Sequence, residues 1–186
     1  MYIIMGLPGA GKTTVLNGLK QEMPELKIMN YGDLMMEIMK EKYGIESRDE
    51  MRKKLSIDDQ KKVQEMITEK LSAFKDRNCV LDTHCAVKTP KGYLPGLPMK
   101  TLSRITVDGL MLITANPEEI YERRKNDPSR ARDHETLEDL RMHDDMSKYM
   151  LATYAVYTGA PAMIIYNKAG KVADAVAKIV SIMKGL

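Results

Sequence analysis

The chain has 186 residues, enough for one domain with a substantial core. Hydrophobic residues make up 44% and charged residues 30%, which excludes a disordered chain, and a net charge of only +3 argues against nucleic acid as the main partner. No apolar run approaches the roughly 18 residues that cross a membrane, and a strand at the very start leaves no room for a signal or transit peptide, so a cytoplasmic protein without membrane contact is expected.

Two cysteines, Cys79 and Cys85, make neither a disulfide framework nor a zinc ribbon, and Cys85 beside His84 is a poor metal site. Sixteen methionines against one phenylalanine read as flexible core filling.

Residues 2–5 form a short apolar strand, and the glycine-rich stretch that follows meets the pattern G-x-x-x-x-G-K-[ST] with Gly6, Gly11, Lys12 and Thr13. Glycines allow successive backbone N–H groups to turn inward around phosphate oxygens. Lys12 brings a charge to the terminal phosphates, and the Thr13 hydroxyl is placed to ligate Mg²⁺. The helix beginning near Lys12, with Val15, Leu16 and Leu19 on its apolar face, directs its positive end at the same anion.

A second strand is expected at 26–30, after which NYGD (30–33) opens one helix and SRDEMRKK (47–54) opens another. Arg48 and Arg52 stand four apart on one helix face, where they either bracket a phosphate or pair with Glu46, Asp49 and Glu50 on a solvated surface. Helical spacing continues over 58–76 through Val63, Met66, Ile67, Leu71 and Phe74. A third strand at 79–82 ends on Asp82, a carboxylate suited to holding Mg²⁺ directly or through water, or else to capping the following loop. Residues 83–98, with three prolines and two glycines, read as a long irregular loop whose Lys88 and Lys91 are further sources of positive charge.

The fourth strand spans 109–115, and the stretch RRKNDPSRARD (123–133) then places Arg130 and Arg132 on a brief loop after a helix stop. Paired arginines there suit a lid over a transferring phosphate, since the planar fork holds phosphate oxygens bidentately. A fifth strand at 162–166 and a helix over 170–185 complete a strand–helix alternation that implies a parallel sheet covered on both faces. NKAG (167–170) lacks, at Gly170, the carboxylate a guanine-reading motif needs, which argues against a GTP switch.

In this order, GLPGAGKTT (6–14), NYGDLMMEI (30–38), RDEMRKK (48–54), DTHCAVKTPKGYLPGLP (82–98), NDPSRARD (126–133) and YTGAPAMIIYNK (157–168) resemble the archaeal-type adenylate kinases over essentially the whole chain. The resemblance implies an α/β, three-layer P-loop NTPase fold with a five-stranded parallel sheet, a core of 1–30 and 76–186, a helical acceptor-binding arm at about 31–75 and a short lid at about 126–133. It implies reversible Mg²⁺-dependent phosphoryl transfer from ATP to AMP, giving two ADP.

On this chain, Gly6, Leu7, Pro8, Gly9, Ala10, Gly11, Lys12, Thr13 and Thr14 would hold ATP, with Lys12, Arg130 and Arg132 catalytic. Tyr31, Gly32, Arg48, Arg52, Thr83 and His84 would hold AMP, and Thr13 and Asp82 would organise Mg²⁺. Many members are trimers, so a homotrimer is the expectation carried over. Two departures stand out. Leu34, Met35 and Met36 occupy the neighbourhood where many nucleoside monophosphate kinases carry an arginine, and Asp82-Thr83-His84 replaces a common Asp-Gly-Phe-Pro-Arg. The alternatives are another nucleoside monophosphate kinase and an adenylate-kinase-like ATPase acting with a ribosome-assembly partner.

Overall fold

A computed structural model of the chain describes residues 1–47, 50, 56–74, 78–125 and 135–185. Its centre is β1 (Tyr2–Gly6), whose Ile3 and Met5 face one apolar cluster and whose Ile4 faces another. A strand buried on both faces belongs inside a parallel sheet. β1 pairs in parallel with β3 (Cys79–Thr83) on one side and β6 (Gly109–Thr114) on the other. β2 (Lys27–Asn30) and β7 (Ala162–Tyr166) form the edges, giving a five-stranded order β2-β3-β1-β6-β7.

Against one face, α1 (Lys12–Glu22) and α7 (Val172–Lys184) pack Val15, Leu19, Val176 and Ile179 onto Ile4, Val80 and Ile113. Against the other, α2 (Tyr31–Tyr43), α3 (Ile57–Ser72) and α6 (Leu137–Thr158) bury Met39, Ile67, Leu151 and Tyr154 over Ile3, Met5 and Leu81. Met5, Met39 and Met111 are almost wholly buried, so part of the methionine surplus does fill the core. Side chains close the helix starts. Asn30, Ser56 and Thr136 each accept from the N–H three residues on, and Thr136 with Asp139 completes a reciprocal capping box.

The stretch 83–98 corrects the expectation of an irregular loop. It holds an antiparallel hairpin, β4 (Ala86–Thr89) with β5 (Gly92–Pro95), its tip closed by Gly92 at φ 118°. Each strand has only four residues, too few for alternation to register in the sequence. A one-turn helix α4 (Met99–Leu102) follows, and α5 (Pro117–Lys125) comes after β6.

Two helix ends also differ from the periodicity. α3 stops at Ser72 because Phe74 turns back, its N–H on the Leu71 carbonyl at 3.2 Å and its ring 5.7 Å from the Lys27 ammonium. α7 starts at Val172, after Gly170 in the left-handed region at φ 69°. Of the expected helix at 47–54, only Ser47, Glu50 and the chain before them are described, so Arg48 and Arg52 lie outside the described residues. The expected lid at 126–133, with Arg130 and Arg132, lies outside them as well.

Candidate active site

The loop from Leu7 to Gly11 lies where β1 hands over to α1, at the carboxyl end of the sheet, the position where open parallel sheets bind ligands. Leu7 and Ala10 anchor it by sinking into a small apolar cluster with Ala115, Ile120 and Leu140. Leu7 N–H donates to the Ile113 carbonyl at 3.3 Å, and Ala10 N–H to the Leu7 carbonyl at 3.0 Å. Asn167, just after β7, donates its amide to the Ala10 carbonyl at 2.8 Å and so ties the far strand to the loop. This approach needs a glycine. A Cβ on Gly11, at φ 80°, would sit 2.4 Å from the Asn167 amide nitrogen.

Lys12 leaves the first turn of α1 and pairs with Asp82 at the end of β3. Asn30 donates to the second Asp82 oxygen at 2.6 Å. Burial pushes the Lys12 ammonium down to about 8, against a smaller upward pull from Asp33. Thr13 and Thr14 are exposed beside it. One hydroxyl and one carboxylate suit Mg²⁺, which keeps phosphate oxygens and waters for most of its shell. Among the described residues no group of three or more His, Cys, Asp or Glu side chains is placed to hold a metal ion.

Lys12 also lines a neighbouring cavity of about 370 Å³. Its first wall is the start of α2, with Asn30, Tyr31, Gly32, Met35 and Met36, and Gln64 of α3 faces them. The other wall is the end of β3 and the hairpin, through Thr83, His84, Val87, Leu94 and Pro95. His84 Nδ1 stands 3.4 Å from the Gly6 carbonyl, and the Thr83 hydroxyl donates to the Gly96 carbonyl at 3.4 Å. Burial pushes the Tyr31 phenol up to about 12, so it stays a neutral donor. A charged end at Lys12 and a mixed remainder, with Met35, Met36, Val87 and Leu94 beside Gln64, Thr83 and His84, suit a small phosphorylated ligand.

The structure thus brings together Gly6 through Thr14, Asp82, Tyr31, Gly32, Thr83 and His84. Lys88 does not join them. It pairs with Asp139 at 2.9 Å and Glu135 at 3.4 Å, so its charge is spent on the start of α6. Arg141 pairs with Glu118 at 2.6 Å, beside a separate hollow lined by Asp144, Lys148 and Lys168. Sequence reasoning missed Asn30, Gln64, Val87, Leu94 and Pro95 as pocket walls, and it missed Arg123 and Arg124 near the loop. Arg123 donates to the Asn167 carbonyl at 3.0 Å. The one available signal was Asn30, whose place at the carboxyl end of a strand and at a helix start could have marked it.

A sequence model of the family described as an AAA domain matches residues 5–141. Shikimate kinase from Bacteroides thetaiotaomicron superposes with a TM-score of 0.60 at 13% identity, covering 98% of this chain and 97% of that one. The fold is therefore that of the P-loop kinases. Adenylate kinases of Pyrobaculum aerophilum and Methanocaldococcus jannaschii are 43% and 42% identical to this chain, over 91% and 99% of it and over 85% and 98% of their own lengths. The chain belongs to the adenylate kinase family. No described helix is long and apolar enough to cross a membrane.

Proposed function

We propose that this protein catalyses reversible transfer of the terminal phosphoryl group of ATP to AMP, giving two ADP. One observation carries the reading: Lys12 belongs at once to the phosphate loop and to the 370 Å³ cavity, so donor and acceptor phosphates would meet at one cation. An AMP phosphate oxygen is already deprotonated and needs no general base. It bonds to the γ-phosphorus as the bond from that phosphorus to the bridging β-oxygen breaks.

Residues 6–14 bind the triphosphate through backbone N–H groups, and Lys12 follows the charge as it moves. Bringing two polyanions together is thereby a matter of positioning and electrostatics. Thr13, and Asp82 directly or through water, would hold Mg²⁺, which would supply charge neutralisation for the transferring phosphates. Tyr31, Gly32, Thr83 and His84 seat AMP, with Arg48 and Arg52 on the same arm at about 31–75. Arg130 and Arg132, on a short lid at about 126–133, complete the positive surround.

We assign the activity to the cytoplasm, with nucleotides rather than nucleic acid or membrane as partners. We carry the homotrimer over from the family resemblance; the outward face of α6, where Met142, Tyr149 and Val156 recur every seven residues and stay exposed beside Tyr157, offers an apolar surface for self-association. Light scattering on the eluting protein checks it, and a monomer mass at micromolar concentration would sink it. For the reaction, initial rates with ATP and Mg²⁺ are compared with AMP, CMP, UMP, GMP or no acceptor. Rapid ADP formation with AMP alone is the expected outcome. Equal ATP hydrolysis without any acceptor would overturn transferase activity in favour of a partner-coupled ATPase.

A further inference from the structure

Arg124, near the end of α5, turns away from solvent, with only 9% of its side chain exposed. Its Nε donates to the Pro8 carbonyl at 3.0 Å, and Nη2 donates to the same oxygen. Nη1 pairs with Glu135. The fork therefore grips a single backbone oxygen inside the phosphate loop while a carboxylate holds it from behind. Because the peptide is planar and trans, a Pro8 carbonyl held toward Arg124 points the Gly9 N–H the opposite way. The residue at 9 is shaped to this neighbour. Gly9 sits at φ 91°, and a Cβ there would lie 2.9 Å from the Arg124 Nε.

Glu135 is shared. Its other oxygen lies 3.4 Å from Lys88 Nζ, and Lys88 stands on β4 next to Val87, which lines the acceptor cavity. Lys88, Glu135, Arg124 and the Pro8 carbonyl form a continuous chain of charged contacts from the acceptor hairpin to the donor loop.

We propose that Arg124 is a positioning residue for the donor phosphates, fixing the Pro8–Gly9 peptide in the loop, and that Glu135 and Lys88 extend this hold to the acceptor hairpin. The inference rests on reading residues 6–14 as the ATP phosphate site. It is independent of which acceptor the enzyme uses.

The test is calorimetric binding of a non-hydrolysable ATP analogue with Mg²⁺, and separately of AMP, to wild type, Arg124→Leu, Arg124→Lys, Glu135→Gln and Lys88→Met. Losing hydrogen bonds from a charged donor to a part-buried acceptor is expected to weaken the analogue about tenfold or more in Arg124→Leu. Arg124→Lys should recover part of the loss, since it keeps the charge but not the fork. Glu135→Gln and then Lys88→Met should show progressively smaller losses, and AMP affinity in the Arg124 variants should stay within about twofold of wild type. Thermal melts accompany each variant. Analogue affinity unchanged in Arg124→Leu overturns the proposal. So does an equal loss for analogue and AMP that Arg124→Lys fails to rescue, which is the mark of a merely structural residue. Unchanged binding in Lys88→Met overturns the link to the hairpin. A wild type that binds the analogue but forms no ADP from AMP would refute the transferase reading and leave this comparison standing.

Discussion

The phosphate loop at residues 6–14 is a backbone device, whereas the cavity beside it is walled by side chains from α2, α3, the end of β3 and the hairpin. The loop needs small residues and a few anchors, because its working groups are N–H donors present at almost every position. The cavity needs particular side chains from stretches up to 68 residues apart, from Asn30 to Pro98. Damage to the loop should therefore strike any nucleotide donor and the chemistry together. Damage to the cavity should strike one acceptor's affinity and spare the donor. Lys12 is the exception that belongs to both.

The largest expected effect comes from that shared residue. Lys12→Ala should lower kcat about 10²–10³-fold, the range for removing one preorganised donor to developing charge. A loss confined to the KM of ATP would show that Lys12 serves the donor side alone and would break the comparison.

A smaller, one-sided effect is expected at the hairpin. Leu94 is 57% exposed yet lines the cavity, so Leu94→Ala should raise the KM of AMP about three- to tenfold, as removing apolar contact from a pocket does. The KM of ATP should barely move. Equal increases in both would place the hairpin wall outside acceptor recognition.

The smallest effect concerns the support behind the hairpin. His143 is buried on α6, with Nε2 3.1 Å from the Ala86 carbonyl and its ring 5.1 Å from that of Tyr93. Burial pushes its imidazole below the usual 6.5, with Arg124 and Lys88 adding to the drop while the Ala86 carbonyl and Glu135 oppose it. A lowered histidine means the unfolded chain takes up the proton first as pH falls. Its contribution is thus complete above about 6.5 and declines as pH drops from there through the folded value. Melting temperatures at pH 7.5, 6.5 and 5.5 should fall more steeply for wild type than for His143→Phe. Parallel slopes would remove His143 from the account.

The contrast between loop and cavity also explains what could be read from the chain. Gly6, Gly11, Lys12 and Thr13 were legible because a phosphate cradle is local and its spacing is rigid. All five sheet strands were legible from short apolar runs, and β1, β3 and β6 most directly, since strands buried on both faces are continuously apolar. The hairpin was not, because four-residue strands bounded by prolines carry no usable period. Gln64 and Leu94 were not, because nothing local marks a residue that works only against partners folded in from elsewhere. Lys88 looked like free positive charge, and only the fold brings Glu135 and Asp139 to it. Arg124 lay in a basic run that gave no sign which member would turn inward.

Asn30 shows how narrow such a position becomes. Its oxygen caps α2 by accepting from the Asp33 N–H at 3.0 Å, and its nitrogen donates to Asp82 at 2.6 Å. Aspartate would cap as well but would set one carboxylate against another, and serine would cap but is too short to reach across. Glutamine could reach yet is a poor cap. Sequence drift at position 30 is thus closed from both directions, so asparagine there should persist among relatives even where the pocket walls around it vary.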